Sequence, residues 1–279
     1  MNIEQATVTS KDGTTIAYER SGTGPTVVLV ASALSDRSDT KRLAALLSEH
    51  FTVVNYDRRG RGRSTDADTW SPEREIDDLE ALIDANGGAA YLFGSSSGAV
   101  LALDAAGALG TRKVRRVFSY EAPVIVDDRR EPMPSDAIDQ VDTMIAEGKR
   151  GKAVGYFFRT AFGASGFMIA MTRVMVPVWS KMVAMAPTLP YDLRLLDGLQ
   201  SGAPIPPDRW SRVQVPALVM VGEKAEPFME TGSAALANAL PDSRREVLPG
   251  GHHGTPVTKP AALVPALTAF FAETAAPRR

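Results

Sequence analysis

The amino-acid sequence predicts an α/β fold in which a mostly parallel central sheet carries helices on both faces. Short apolar runs alternate with longer stretches of helical periodicity, the pattern of parallel strands joined by crossover helices. The alternation breaks over residues 126–210, where the chain is Pro-rich and helical in pattern, and resumes afterwards. We therefore predict a single α/β domain, with residues 1–125 and 211–279 in the core and 126–210 forming a helical cap insertion.

The first predicted strands lie before residue 57. Val8–Ser10 and Thr15–Tyr18 flank Asp12-Gly13, a dipeptide that favours a tight turn and hence a β-hairpin. Thr26–Val30 is a continuous apolar run between turn residues, which suits a strand buried on both faces of a sheet. The apolar residues of Thr52–Tyr56 predict the next strand.

The remaining elements continue the alternation. Helices are predicted where apolar residues recur every three to four positions, and strands where short apolar runs lie between turn residues. The predicted helices cover residues 41–49, 72–86, 99–106, 232–240 and 261–271, and the predicted strands cover 89–93, 114–120, 217–221 and 245–248. Ser71 and Pro72 have the residue types of an N-cap and a first helical position, so they set the start of the second helix.

Composition excludes several classes of function. The formal net charge is −2, which argues against nucleic acid or an anionic membrane as a partner. The chain has no cysteine, which excludes disulfides, a thiolate nucleophile and a Cys-built metal site. The N-terminal residues lack the pattern of a signal peptide, and charged residues and Pro177 interrupt the apolar segment Phe167–Pro187. We expect a cytoplasmic enzyme without a membrane span.

The most informative motif is Gly94-Ser95-Ser96-Ser97-Gly98, which stands between the predicted strand at 89–93 and a helical stretch that begins at Ala99. Strand, G-x-S-x-G and helix form the layout of a nucleophile elbow, whose tight turn requires small residues beside the serine. Such a turn points the Ser96 hydroxyl away from the sheet, at a helix N-terminus that favours developing negative charge. The alternative is a flexible Gly/Ser-rich linker, but the flanking elements favour the elbow.

A serine nucleophile needs a base, and the chain offers only three histidines, His50, His252 and His253. His50 lies at the end of a predicted helix and is expected at the surface. His252 and His253 follow the last predicted strand, and the carboxyl ends of parallel strands share the edge that displays Ser96. No third ligand accompanies the pair at metal-site spacing, so a catalytic base is favoured over a metal site or two surface histidines.

Three features together resemble the α/β-hydrolase superfamily over nearly the whole chain: Gly94–Gly98, Tyr56–Ser64 and the glycine-flanked late histidines. The chain is similar to the small cap-bearing hydrolases, which include esterases, lactonases, epoxide hydrolases and cofactor-free haloperoxidases. Asp57–Ser64 matches the family stretch D-x-R-G-x-G-x-S. Its four arginines fit a structural loop better than nucleic-acid binding, because the overall charge is near neutral and aromatic residues are missing from the run. These arginines are Arg58, Arg59, Arg61 and Arg63.

The resemblance implies that Ser96 is the nucleophile and that a histidine in the last loop is the base. In the family this loop commonly reads G-x-x-H or P-x-x-G-H. Counting from Gly250 or from Pro249 leads to His253 in both patterns. His252 stays open as the alternative base, because a shorter loop would present it.

The third member of the implied triad departs from the usual family pattern. The family usually places an aspartate three residues after the glycine that closes the penultimate strand, here Gly222, but Ala225 stands at that position. Some members of the superfamily take the acid from the end of the preceding core strand, where this chain has Glu121. Glu226 and Glu223 remain alternative acids, since a carboxylate is needed to orient the imidazole.

The oxyanion loop also departs from the family pattern. Members commonly carry His-Gly after the third strand, whereas this chain has Ala31-Ser32 and then Ala33. The donors are main-chain groups, so the resemblance still implies the amides of Ala33 and Ser97. The support of the loop must then differ from that in the family.

The predicted cap is rich in methionine. Seven of the ten methionines lie between residues 133 and 185, and Pro177 is expected to kink or divide the helix that carries most of them. On a helix this spacing forms one face, which packs onto the core or roofs the site with adaptable apolar surface. The face consists of Met168, Met171, Met175, Val178, Met182 and Met185.

The sequence therefore predicts a serine hydrolase that cleaves an ester or lactone of a small hydrophobic substrate through an acyl-enzyme, with no metal or organic cofactor. One alternative is a non-hydrolytic enzyme of the same fold that performs a cyclisation, an elimination or an epoxide opening. Epoxide hydrolysis is the weakest version, because it usually needs an aspartate where Ser96 stands. The other alternative is a binding protein that keeps the fold without turnover.

Overall fold

One eight-stranded sheet runs through the computed structural model, which describes residues 2–273. The strands are β1 (Ile3–Thr9), β2 (Thr15–Ser21), β3 (Thr26–Val30), β4 (Thr52–Tyr56), β5 (Ala90–Ser95), β6 (Val114–Tyr120), β7 (Ala217–Gly222) and β8 (Ser243–Leu248). Their order in the sheet is β1-β2-β4-β3-β5-β6-β7-β8. β2 is antiparallel to β1 and β4, and all other neighbours are parallel. The predicted α/β class with a mostly parallel sheet is confirmed.

Helices cover both faces of the sheet. They are α1 (Arg37–Leu47), α2 (Pro72–Ala85), α3 (Ser97–Lys113), α4 (Ala137–Ala146), α5 (Arg150–Phe162), α6 (Gly166–Val174), α7 (Val176–Met185), α8 (Leu189–Leu195), α9 (Pro227–Ala239), α10 (Thr255–Thr258) and α11 (Val264–Ala272). α1 begins earlier than expected, because Asp36 and Asp39 form a reciprocal capping box there. Ser71 is the N-cap of α2 as predicted, although its side chain makes no capping hydrogen bond.

The continuous apolar run of β3 is explained by its place in the middle of the sheet. Val28 and Val30 pack in the cluster that contains α2 and α3 residues, whereas Val27 and Leu29 pack in the cluster that contains α1 and α11 residues. Successive side chains of a strand point to opposite faces, so a strand covered on both faces must be apolar at every position. These four side chains are 0% exposed, and each full burial contributes about 1.5–3 kcal/mol.

Helices α4 to α8 follow β6 and precede β7, within the segment predicted to form a cap. They have an apolar cluster of their own, which includes Val154, Phe157 and Leu189. Leu34, from the loop after β3, joins that cluster and packs the helices against the edge of the sheet where the predicted catalytic residues lie. The division into a core and a helical cap stays a prediction.

The predicted break near Pro177 is present, since α6 ends at Val174 and α7 restarts at Val176. Pro177 lies in the first turn of α7, where its missing N–H costs no helical hydrogen bond. The methionine face is therefore split: Met175 is 59% exposed, whereas Met185 is buried. No single helix within residues 2–273 is long and apolar enough to cross a membrane; only the bent pair Gly166–Val174 and Val176–Leu195, at 107°, passes by length and composition.

Candidate active site

Ser96 occupies the sharp turn between β5 and α3. Its backbone has φ 55° and ψ −128°, and its N–H donates to the carbonyl of Tyr120 at 2.9 Å. A Cβ at Gly94 would overlap the backbone of Gly98 and Ala99, and one at Gly98 would overlap the carbonyl oxygens of Val30 and Ala31. The glycines of the motif are thus required by close backbone contact, as the elbow interpretation predicts.

Backbone strain is concentrated at this edge of the sheet. Across residues 2–273, only Leu34, Ser96 and Glu121 have positive φ without being glycine, with values of 53°, 55° and 46°. They follow or end the neighbouring strands β3, β5 and β6. Such a conformation costs about 1–3 kcal/mol per residue and persists where the surroundings impose it, which is typical of functional sites. Three strained positions after neighbouring strands therefore mark one site.

Glu121 and His253 meet at the same edge. Nδ1 of His253 lies 2.8 Å from Oε2 of Glu121, and the other carboxylate oxygen accepts the N–H of Gly222 at 2.8 Å. The Glu121 side chain is 0% exposed, whereas that of His253 is 30% exposed. A carboxylate only accepts, so this contact places a proton on Nδ1, and in the neutral imidazole Nε2 then keeps its lone pair. This is the tautomer that a general base requires.

The alternative base has a structural position in the same loop. His252 Nδ1 accepts the N–H of Gly254 at 3.2 Å, and Nε2 lies 3.3 Å from the hydroxyl of Thr258. Its carbonyl accepts the Tyr120 hydroxyl at 2.8 Å. Both nitrogens of the His252 ring therefore bond to neighbouring groups, one to the loop before α10 and the other to the last residue of α10.

The alternative acids do not contact a histidine. Glu226 forms an ion pair with Arg130 at 2.9 Å, and its side chain is 51% exposed. Glu223 accepts a hydrogen bond from the N–H of Gly250 at 2.7 Å, and this bond stabilises the loop after β8. The structure thus brings Glu121 to His253, and it holds the other two carboxylates elsewhere.

The two predicted oxyanion donors follow the neighbouring strands β3 and β5. Ser97 is the first residue of α3, so its N–H is one of the helix-terminal donors that have no partner within the helix. Ala33 lies in the loop after β3, directly before the strained Leu34. Arginines of the segment after β4 bind carbonyls of this loop: Arg61 donates to Ser32 O at 2.7 Å.

Residues 22–266 match the sequence model of the alpha/beta hydrolase family. The chain belongs to this family. Among solved structures, an alpha/beta hydrolase from Sphaerobacter thermophilus DSM 20745 is 43% identical, with a TM-score of 0.87 over 96% of this chain and 100% of that one.

Two curated relatives of this α/β hydrolase are similar in sequence. A bifunctional esterase/perhydrolase of Acinetobacter calcoaceticus is 26% identical over 95% of this chain and 98% of its own length. An uncharacterized hydrolase of Bacillus subtilis is 40% identical over 96 residues, which are 33% of this chain and 35% of that relative. The first of these similarities extends over almost the whole α/β hydrolase, and the second is local.

Aromatic side chains of α5 cluster next to the candidate base of this α/β hydrolase. The ring of Phe162 lies 5.4 Å from the His253 imidazole, and the rings of Phe157 and Phe158 lie 5.8 Å and 5.7 Å from Phe162. Within residues 2–273, no hydrogen bond joins the Ser96 hydroxyl to His253. Hydrogen bonds between catalytic groups often tighten only when substrate is bound, so this does not contradict the predicted pairing of Ser96 with His253.

Sequence reasoning classed the arginines after β4 as a structural loop and did not single out Asp192. Yet Arg58 and Arg61 are both buried, and both bind the carboxylate of Asp192 on α8, at 2.7 Å and 2.6 Å. The one available signal is an acidic residue among the leucines of α8. That signal does not reveal a partner, because the partners are distant in sequence.

Proposed function

We propose that this α/β hydrolase is a serine esterase that cleaves an ester or lactone of a small hydrophobic substrate through an acyl-enzyme. The observation that carries the proposal is the 2.8 Å contact between His253 Nδ1 and the buried Glu121 carboxylate, at the edge where Ser96 occupies the elbow. Nucleophile position, base and orienting acid come from three different elements, which is how such triads are assembled on this type of sheet.

In the proposed reaction, Ser96 Oγ attacks the carbonyl carbon while His253 Nε2 accepts the hydroxyl proton. The negative charge develops on the former carbonyl oxygen, where the amides of Ala33 and Ser97 donate hydrogen bonds. Collapse of the tetrahedral intermediate breaks the ester C–O bond, and His253 returns the proton to the leaving alkoxide. Water then attacks the acyl-enzyme by the same sequence, which releases the carboxylic acid and restores Ser96.

Glu121 has two tasks in this scheme. It holds the imidazole with Nε2 available, and its negative charge stabilises the imidazolium that forms during each proton transfer. The Gly222 N–H on Oε1 fixes the carboxylate in turn. No cofactor takes part in these steps, and the cytoplasmic location remains a prediction from the sequence.

Two observations support the substrate class. Phe162 of α5 lies next to His253 and offers apolar surface to an acyl or alcohol group. The relative from Acinetobacter calcoaceticus, which is named an esterase as well as a perhydrolase, has similar sequence over nearly its full length. We therefore favour a carboxylic ester over the non-hydrolytic substrates, and an enzyme over a binding protein.

The proposal is tested by hydrolysis of p-nitrophenyl acetate, butyrate, octanoate and palmitate, followed at the absorbance of the released phenolate. We expect turnover of the short esters and a decline of kcat/KM toward palmitate. A purified, folded protein that turns over none of these esters and no simple lactone would contradict the proposal.

Glu121→Gln is expected to lower kcat about 10⁴-fold, as loss of the orienting carboxylate does in other serine enzymes. Gln keeps an acceptor for Gly222 N–H, so the fold should be retained. It removes the charge that stabilises the imidazolium and favours the wrong tautomer. The measurement is kcat on p-nitrophenyl butyrate, with circular dichroism to confirm folding.

The matched control is Glu226→Gln, which changes a carboxylate that is 51% exposed and paired with Arg130. It should leave kcat within about threefold, because an exposed ion pair contributes little. The reverse order of effects would move the acid to the loop after β7.

A further inference from the structure

A buried carboxylate on α8 connects the cap to both proposed oxyanion donors. Asp192 Oδ1 accepts from Arg58 Nη1 at 2.7 Å and from the Ser97 hydroxyl at 2.8 Å, while Oδ2 accepts from Arg61 Nη2 at 2.6 Å. The side chains of Arg58, Arg61 and Asp192 are each 1% exposed. Ser97 is the residue whose backbone N–H is one of the proposed donors.

The two arginines use further N–H groups to hold the loop that carries Ala33. Arg61 Nη1 donates to the carbonyl oxygens of Ser32 at 2.7 Å and Ser35 at 3.2 Å. Arg58 Nη1 donates to the carbonyl oxygen of Ala31 at 3.3 Å. Guanidinium groups thus bind the loop on both sides of Ala33, and Leu34 is held in its strained conformation between the same contacts.

The cluster is balanced in charge. Arg58 also forms a two-point pair with Glu75, at 2.7 Å and 2.6 Å, so two buried arginines face two buried carboxylates. Burial raises the pKa of Asp192, but the guanidinium groups of Arg61 and Arg58 outweigh burial, and the net pKa lies below the usual range. Asp192 is therefore ionised at neutral pH and accepts every hydrogen bond offered to it.

Given the proposed serine mechanism, on which this inference rests, we infer that Asp192 is a positioning residue for the oxyanion hole. It orients Ser97 directly through the hydroxyl, and it orients Ala33 through Arg61 and Arg58. The arrangement supplies the loop support that the His-Gly pair would otherwise be expected to provide. Because Asp192 belongs to α8, the position of the cap and the geometry of the hole are coupled.

A second buried ion pair nearby provides a matched control. Arg59 pairs with Asp78 at 2.8 Å and 2.7 Å, and its remaining donors bind Asp12 and the carbonyl of Arg74. Both side chains of the pair are at most 1% exposed. It thus resembles the Asp192 cluster in burial and chemistry, but none of these contacts reaches the loop at Ala33.

The experiment compares Asp192→Asn, Ser97→Ala and Asp78→Asn in two assays. The first is steady-state hydrolysis of p-nitrophenyl butyrate together with the affinity for an aryl trifluoromethyl ketone, which places an oxyanion in the hole. Asp192→Asn should lower kcat and weaken binding of the ketone by the same factor, about 10²-fold, with KM within threefold. Ser97→Ala should do so by about tenfold, because only one arm is lost. The control Asp78→Asn should lower Tm, because it breaks a buried ion pair, but it should leave kcat and the affinity for the ketone within threefold of the wild-type values.

The second assay is amide hydrogen exchange of the free protein over residues 31–35, which does not depend on catalysis. Exchange should accelerate in Asp192→Asn and stay at the wild-type rate in Asp78→Asn. Equal exchange in the two variants would overturn the inference even if the wild type hydrolyses esters. Accelerated exchange without ester hydrolysis by the wild type would instead contradict the proposed function. If Asp192→Asn does not fold, Ser97→Ala decides: unchanged kcat and ketone affinity in that variant overturn the inference.

Discussion

Replacing Ser96 by alanine is expected to lower kcat for ester hydrolysis about 10⁶-fold, the scale seen when a serine enzyme loses its nucleophile. The variant keeps the oxyanion donors and the binding surface but cannot form an acyl-enzyme. Alanine tolerates the positive φ of this position no worse than serine does, so the fold should be retained. The measurement is the rate of p-nitrophenyl butyrate hydrolysis at enzyme concentrations high enough to detect residual turnover.

Ser119→Ala is the control for this experiment. Ser119 is fully buried on β6, next to β5, and among the described residues its hydroxyl has no hydrogen-bond partner. Its removal should leave kcat unchanged within about threefold, because no satisfied hydrogen bond is lost.

Turnover retained by Ser96→Ala would contradict the serine mechanism. It would favour the alternative, in which the enzyme performs non-hydrolytic chemistry.

The second large effect is expected for His253→Ala, which should lower kcat by about the same factor as loss of the serine. Without the imidazole, no group takes the Ser96 proton, and the Glu121 carboxylate is left without its partner. The measurement is kcat at neutral pH together with the rate at which a fluorophosphonate acylates the enzyme. We expect that acylation to become undetectable on the time scale of wild-type labelling.

His252→Ala tests the assignment within the histidine pair. The His252 ring bonds to Gly254 and Thr258, so its loss should loosen the loop and lower kcat by about tenfold or less. The opposite order of the two histidine variants would show that the base had been assigned to the wrong residue.

The elbow could be predicted because its requirements are local. A strand, two glycines and a helix must adjoin the serine, and all of these are visible within a short stretch of sequence. Glu121 could also be predicted as the acid, because Ala225 cannot serve in that role and the end of β6 offers the next carboxylate. Its 2.8 Å contact with His253 spans 132 positions of the chain. The resemblance to a family predicts this contact, and no local sequence pattern does.

The support of the oxyanion loop could not be predicted, because it depends on pairs that only the fold brings together. Asp192 lies 131 positions from Arg61 and 95 positions from Ser97. Each of these residues alone reads as an ordinary charged or capping residue. The burial of the individual methionines could not be predicted either, because it depends on how α6 and α7 pack. The bend at Met175 leaves that side chain exposed, whereas Met185 packs in the apolar cluster of helices α4 to α8.

The most direct test of the account is the site of covalent modification by a fluorophosphonate. Intact-mass spectrometry should show one adduct per chain, and peptide mapping should place it on Ser96. The adduct should be absent from Ser96→Ala and present in Ser119→Ala. An adduct on any other residue, or a folded wild-type enzyme that hydrolyses esters without reacting at Ser96, would contradict the assignment of Ser96 as the nucleophile.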